Sequence, residues 1–156
     1  MTHTNVAHLP VGSSVHRRSR IADVMRPPVH AVGPDSPIAA AATLLAGTGC
    51  SGLPVVDPEG RVIGLITETD LVRHEIGSAA AVSRRVVSEA MSEEPLLAPA
   101  DHDLDTLVAL MLAAGTPVVP VVHGRWLVGS VDLRDLVGLI AVSGARAPEQ
   151  RRASGQ

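Results

Sequence analysis

Two short spacings in this chain of 156 residues bring together side chains that can act on a small polar ligand. The first is Thr67-x-x-Asp70. At the start of a helix, a Thr followed three positions later by an acid forms a reciprocal cap, each side chain accepting a backbone N–H. The same geometry suits a ligand. A helix N-terminus offers unpaired N–H groups at the positive end of the dipole, which favours phosphate. A Thr hydroxyl can donate to phosphate or ribose, and an Asp carboxylate can accept from both ribose hydroxyls. Cap and ligand contact are not exclusive. The second spacing is Asp132-x-x-Asp135, with Arg134 inside it. Asp132 caps a helix as well as Thr does, but beside a phosphate it is repulsive. Asp135 keeps the carboxylate suited to ribose. Arg134 offers either a bidentate phosphate contact or a solvated helix side chain. The two spacings are therefore unequal in the charge they set at the helix start.

Other candidates fail on context. Gly47-x-Gly49-x-x-Gly52 matches the dinucleotide fingerprint by letter, but that motif needs a strand before the glycines and a helix after them. Here a helix precedes and a strand follows, so the glycines read as a helix stop and a turn. Cys50 is the sole cysteine, which excludes an intramolecular disulfide and a thiolate metal cluster. With no His or Asp at a recognisable spacing, it reads as a small apolar residue rather than a nucleophile. The seven histidines form no ligand pattern. All 13 basic residues are Arg, so a Schiff-base lysine and a Walker lysine are excluded. Trp126 is the one aromatic, which excludes base-stacking platforms. It reads equally as a half-exposed strand residue and as an interface residue. The formal net charge of −3 argues against a dedicated nucleic-acid binder, and the short Arg17-Arg18-x-Arg20 run reads as soluble tail. No apolar segment reads as a membrane span or a secretory signal. A reducing cytoplasm is the default compartment.

The elements that must position these residues come in two copies. Placing Met25 on Met91 aligns Asp35 with Asp101, Leu44 with Leu110, Gly49 with Gly115 and Pro54-Val55-Val56 with Pro120-Val121-Val122. After a one-residue deletion near Pro58, Gly64 meets Gly129 and Asp70 meets Asp135. Each copy predicts the order β-α-β-β-α. In the first, Val29 to Val32 is extended, Ser36 caps a helix that starts at Pro37, and Gly49 ends it. Strands follow over Leu53 to Val56 and Arg61 to Ile66 around an Asp57–Gly60 turn, then a helix over Thr67 to Ile76. The second copy predicts a strand near Leu96 to Ala98, a helix over Asp103 to Ala114, strands over Val118 to Val122 and Trp126 to Val131, and a helix over Leu133 to Ala141. The fold class is α/β. Residues 21–76 and 87–141 form the repeats, 77–86 a linker, and 1–20 and 142–156 flexible tails. Each repeat alone is marginal in size, so the two are expected to pack as one pseudo-two-fold unit.

Gly52-Leu53-Pro54-Val55-Val56-Asp57 followed by Gly64-Leu65-Ile66-Thr67-Glu68-Thr69-Asp70-Leu71 strongly resembles a CBS (cystathionine-β-synthase) domain. Val118-Val119-Pro120-Val121-Val122 followed by Gly129-Ser130-Val131-Asp132-Leu133-Arg134-Asp135-Leu136 resembles it more loosely. The resemblance covers residues 21–141. It implies a disc-like module with two clefts that take AMP, ADP, ATP or S-adenosylmethionine as a regulatory ligand, with no required cofactor. With that resemblance, the cleft using Thr67 and Asp70 is expected to bind a nucleotide, and the one using Asp132 and Asp135 to be empty, weak or selective for a less anionic ligand. It also implies a homodimer formed through the second helices, acting on an unidentified regulated protein. On this basis the ligand contacts are expected from Ala31, Cys50, Ser51, Gly52, Leu53, Pro54, Thr67 and Asp70, and from Thr116, Val118, Pro120, Asp132, Arg134 and Asp135. The alternative is an interaction scaffold without ligand, in which both T/D-x-x-D spacings serve only as caps. Catalysis is not expected, since no nucleophile–base pair is present.

Overall fold

The computed structural model describes residues 19–27, 30–75 and 84–146. Most of the linker 77–86, Val29, the residues before Ser19 and those after Arg146 lie outside the described residues. The element order is α1 (Ile21–Val24), α2 (Ile38–Thr48), β1 (Gly52–Val56), β2 (Val62–Thr67), α3 (Glu68–Glu75), β3 (Ala98–Pro99), α4 (Leu104–Ala114), β4 (Val118–His123), β5 (Trp126–Asp132) and α5 (Leu133–Arg146). A 3-10 turn covers Val87–Glu89. Antiparallel β1–β2 forms one sheet, and β3–β4–β5 forms the other, with β3 parallel to β4. The extended run around Val32 reduces to a parallel bridge, with Val32 N–H on the Pro54 carbonyl and Val56 N–H on the Val32 carbonyl.

Local sequence explains the helices. Ile38, Ala41 and Leu45 are the buried positions of α2, and Leu104, Leu107 and Met111 those of α4. Spacings of three and four put each set on one face. Both helices stop at a left-handed glycine, Gly49 at φ 68° and Gly115 at φ 65°, where a side chain would be strained. Several details differ from the sequence expectation. The strand expected near Leu96 to Ala98 is the short Ala98–Pro99, and the helix expected from Thr67 starts at Glu68, with Thr67 paired to Gly52 as the end of β2. Pro37, not Ser36, holds the N-cap position of α2. The Ser36 hydroxyl accepts from Gly33 N–H instead, closing the preceding turn. And α5 runs on to Arg146, past the expected end at Ala141, with no proline to stop it before Pro148.

The repeats are interlocked. Ile21 N–H donates to the His102 carbonyl and Ala22 N–H to the Ala100 carbonyl, while Leu104 N–H reaches back to Ser19. The equivalent bonds run the other way: Val87 N–H to Ser36, Ser88 N–H to Pro34, and Ile38 N–H to Arg85. Each repeat's opening segment thus packs on the other repeat. Ile21 joins the core built from Ala98, Leu107, Met111, Val119, Val121 and Val131. Val87 and Ala90 join the core built from Ile38, Leu45, Leu53, Val55 and Ile66. Met25 lies over Gly129 and Met91 over Gly64. The two hairpins also meet, Val62 N–H donating to Arg125 and Leu127 N–H to Gly60.

The β1–β2 turn carries one titratable group of note. Partial burial pushes the Asp57 carboxyl up, but hydrogen bonds from the Arg61 backbone and guanidinium outweigh it and hold its pKa below the ordinary carboxylate value. A carboxyl depressed in the folded state stabilises the turn fully above its unfolded pKa and loses that contribution as pH falls through the lower folded value. A carbon-detected NMR titration of Asp57 is expected to show a midpoint below that of an unstructured Asp; one at or above it contradicts the assignment.

Candidate functional site

The sequence alone does not say which motif faces which strand. In the structure, the start of β1 faces the α5 motif of the other repeat. Ser51 N–H donates to Asp132 Oδ2 at 2.9 Å. Arg134 Nη1 donates to the Gly49 carbonyl at 3.1 Å. Asp132 is only 7% exposed. Its second oxygen accepts Arg134 N–H at 2.9 Å, so its carboxylate joins the first repeat to the α5 N-terminus. Asp135 accepts Asp132 N–H and pairs with Arg26 from the exchanged segment.

Between these elements lies a cavity of about 150 Å³ lined by Arg26, Pro27, His30, Thr48, Cys50, Gly52, Leu53, Pro54, Leu127, Gly129 and Ser130. A cavity of that size holds one small aromatic ring. It is a wall of β1, a wall of β5 and a rim of Arg26 and His30. Of the residues expected from sequence, Cys50, Gly52, Leu53 and Pro54 line it, and Ser51, Asp132, Arg134 and Asp135 are bonded around it. Ala31 is half-buried beside His30. Arg26 and His30 were not among the expected residues. Arg26 follows Met25 where its repeat partner Met91 is followed by Ser92, so the mismatch at a matched position is the signal that singles it out.

Thr67 and Asp70 stand apart from that cavity. Asp70 Oδ2 accepts both Thr67 N–H and Thr67 Oγ1–H at 2.9 Å, and Asp70 N–H donates to Thr67 Oγ1 at 3.3 Å. This is the reciprocal cap of α3, although Thr67 itself ends β2. Thr67 and Val118 converge on Gly52, where an added Cβ would lie 2.8 Å from Val118 Cγ1 and 3.2 Å from Thr67 Cγ2. Thr116 Oγ1 donates to the Val118 carbonyl at 2.9 Å, and Pro120 is buried in β4 opposite Ser130. The α3 motif thus faces the start of β4, as the α5 motif faces the start of β1. The two arrangements are not equal. The position matching Ser51 is Pro117, which has no N–H to donate, and the cap of α3 is a neutral hydroxyl where that of α5 is a carboxylate.

Comparison with known proteins places these features. The family description "CBS domain" matches residues 21–77 and 87–142. The inosine-5'-monophosphate dehydrogenase of Mycobacterium leprae is 35% identical over 107 residues, covering 67% of this chain and 19% of that protein. The chain spans about a fifth of the length of the dehydrogenases it matches. Among solved structures, the CBS-domain containing protein ATU1752 from Agrobacterium tumefaciens is 31% identical, with TM-score 0.68 over 77% of this chain and 90% of that one. CBSX2 from Arabidopsis thaliana, in complex with AMP, is 26% identical, with TM-score 0.69 over 81% and 98%. The CBS domain pair of protein MJ0100, in complex with 5'-methylthioadenosine and S-adenosyl-L-methionine, is 27% identical, with TM-score 0.68 over 78% and 99%. Among the described residues, no helix is long and apolar enough to cross a membrane.

Proposed function

Because the chain belongs to the CBS-domain family and carries that domain twice, we propose that it is a regulatory module that binds an adenosine-containing ligand between its repeats and signals to a partner protein. The observation that carries this reading is the cavity built from both repeats, with the α5 carboxylates bonded around its rim. The cavity takes one ring of the two-ring adenine, with backbone groups of Cys50 to Pro54 alongside it and the rest of the ligand at its open rim. Asp135 is the acceptor for the ribose hydroxyls, and releasing Arg26 from it frees a guanidinium at the rim. The complexes of CBSX2 with AMP and of the MJ0100 pair with adenosyl compounds support the ligand class. Such a ligand touches both repeats at once. Binding therefore favours one relative arrangement of the repeats and shifts the population toward it. The apolar residues Val72, Val137 and Ile140, exposed on α3 and α5, support pairing of those helices in a homodimer.

The test is isothermal titration of the full chain with AMP, ADP, ATP and S-adenosylmethionine, beside Asp135→Ala and Asp70→Ala. Saturable binding of at least one ligand is expected, weakened at least tenfold by loss of whichever Asp serves the occupied cleft. A second reading, an interaction scaffold without ligand, is favoured by one observation: Asp70, Asp132 and Asp135 all have partners already. It predicts neither heat nor thermal shift with any of the four compounds, and that result would replace the first reading.

A further inference from the structure

We infer that Asp132 makes the cleft at β1 selective against a 5'-phosphate, so that it takes an adenosyl ligand whose 5' substituent is neutral or cationic, such as a thioether or sulfonium. This rests on the adenosyl reading above and adds the ligand class. A phosphate in this cleft would need N–H donors from the β1 turn and the α5 N-terminus. The two that face each other there, Ser51 N–H and Arg134 N–H, are both held by the Asp132 carboxylate. The chain supplies its own anion at that place. Displacing it would strand a buried carboxylate without donors, and leaving it would set two anions side by side.

The nearby cations do not cancel this. Arg26 pairs with Asp135, and once a ribose displaces it the guanidinium stays at a rim where its side chain is 58% exposed. Arg134 directs its guanidinium to the Gly49 carbonyl on the exposed side. Solvent and salt screen both, whereas the charge of Asp132 lies inside. The α3 cleft has neither feature, since its cap is the Thr67 hydroxyl and its turn carries Pro117.

Two probes separate the cases. 5'-Methylthioadenosine and AMP share adenine and ribose and differ at the 5' position. Each is titrated into the nitrogen-15-labelled full chain. The Ser51 and Arg134 amides report on this cleft and the Thr69 and Asp70 amides on the other. 5'-Methylthioadenosine is expected to saturate the Ser51 and Arg134 shifts, with AMP at least tenfold weaker there. Asp132→Asn keeps the shape and an acceptor but removes the charge. It is expected to tighten AMP at least tenfold and to leave 5'-methylthioadenosine within threefold. Equal affinities at Ser51 and Arg134 in the unaltered chain would overturn the inference while leaving the adenosyl reading in place. So would an Asp132→Asn variant that changes both ligands in parallel, which marks Asp132 as a positioning residue only. If that variant does not fold, the comparison in the unaltered chain decides alone. Silence of all four amides toward both probes would remove the adenosyl reading and the inference with it.

Discussion

Replacing Ile21 by Ala is expected to destabilise the protein by roughly 2–5 kcal/mol, and to do so in the repeat to which Ile21 does not belong by sequence. Its side chain is 1% exposed and packs among Ala98, Leu107, Met111 and Val131. Truncation opens a cavity there, and α1 has only four residues with which to close over it. Urea unfolding gives the size of the effect. Native-state hydrogen exchange gives its place: protection should fall first in β4, β5 and α4, and later in α2, β1 and β2. Loss confined to the first repeat would show that the interlock does not hold in solution.

Alanine in place of Gly129 is expected to cost about 2–3 kcal/mol, a fall of roughly 4–12 °C in Tm for a chain of this size. The added Cβ would stand 2.5 Å from the Arg26 carbonyl oxygen and 2.8 Å from Met25 Sδ. The methionine can swing aside. The carbonyl cannot, because Arg26 and Ser130 exchange backbone hydrogen bonds in both directions. The same substitution at Gly47 or Gly138, helical positions with nothing within 4 Å of an added Cβ, should stabilise by about 0.4–1 kcal/mol. Thermal denaturation of the three variants checks both signs at once, and a neutral Gly129→Ala would mean that the exchanged segment yields.

The contrast between those glycines shows what the amino-acid order conveys by itself. The duplication, the helix stops at Gly49 and Gly115 and the positions of β1, β2, β4 and β5 rest on local chemistry, and local chemistry is legible. The exchange of Ile21–Met25 and Val87–Met91 is not, because periodicity tells which face is apolar and not which core receives it. Ser36 misleads for a related reason: a capping residue next to Pro satisfies the cap pattern, yet its hydroxyl finds a nearer donor in Gly33. At the site, residue types at Thr67, Asp70, Asp132 and Asp135 point to the chemistry. The pairing of each motif with the opposite repeat's strand depends on tertiary contacts such as Ser51 to Asp132, which no spacing encodes. Arg26 and His30 enter the rim by the same route.

The exchanged segments have one more consequence, for the chain among its own copies. A strand at the border of a sheet presents unpaired N–H and C=O groups that another chain can extend, the first step of aggregation. Proteins often blunt such borders with lysine, and this chain has none, while 46% of its residues are hydrophobic. Here the borders are covered from within. Ser92 bonds in both directions to Leu65 along β2, Arg26 does the same to Ser130 along β5, and Val62 and Leu127 donate to Arg125 and Gly60 where the hairpins meet. The interlock that shares out the two cores thus also denies a template to neighbouring molecules, and a lesion that loosens it would be felt first as loss of solubility.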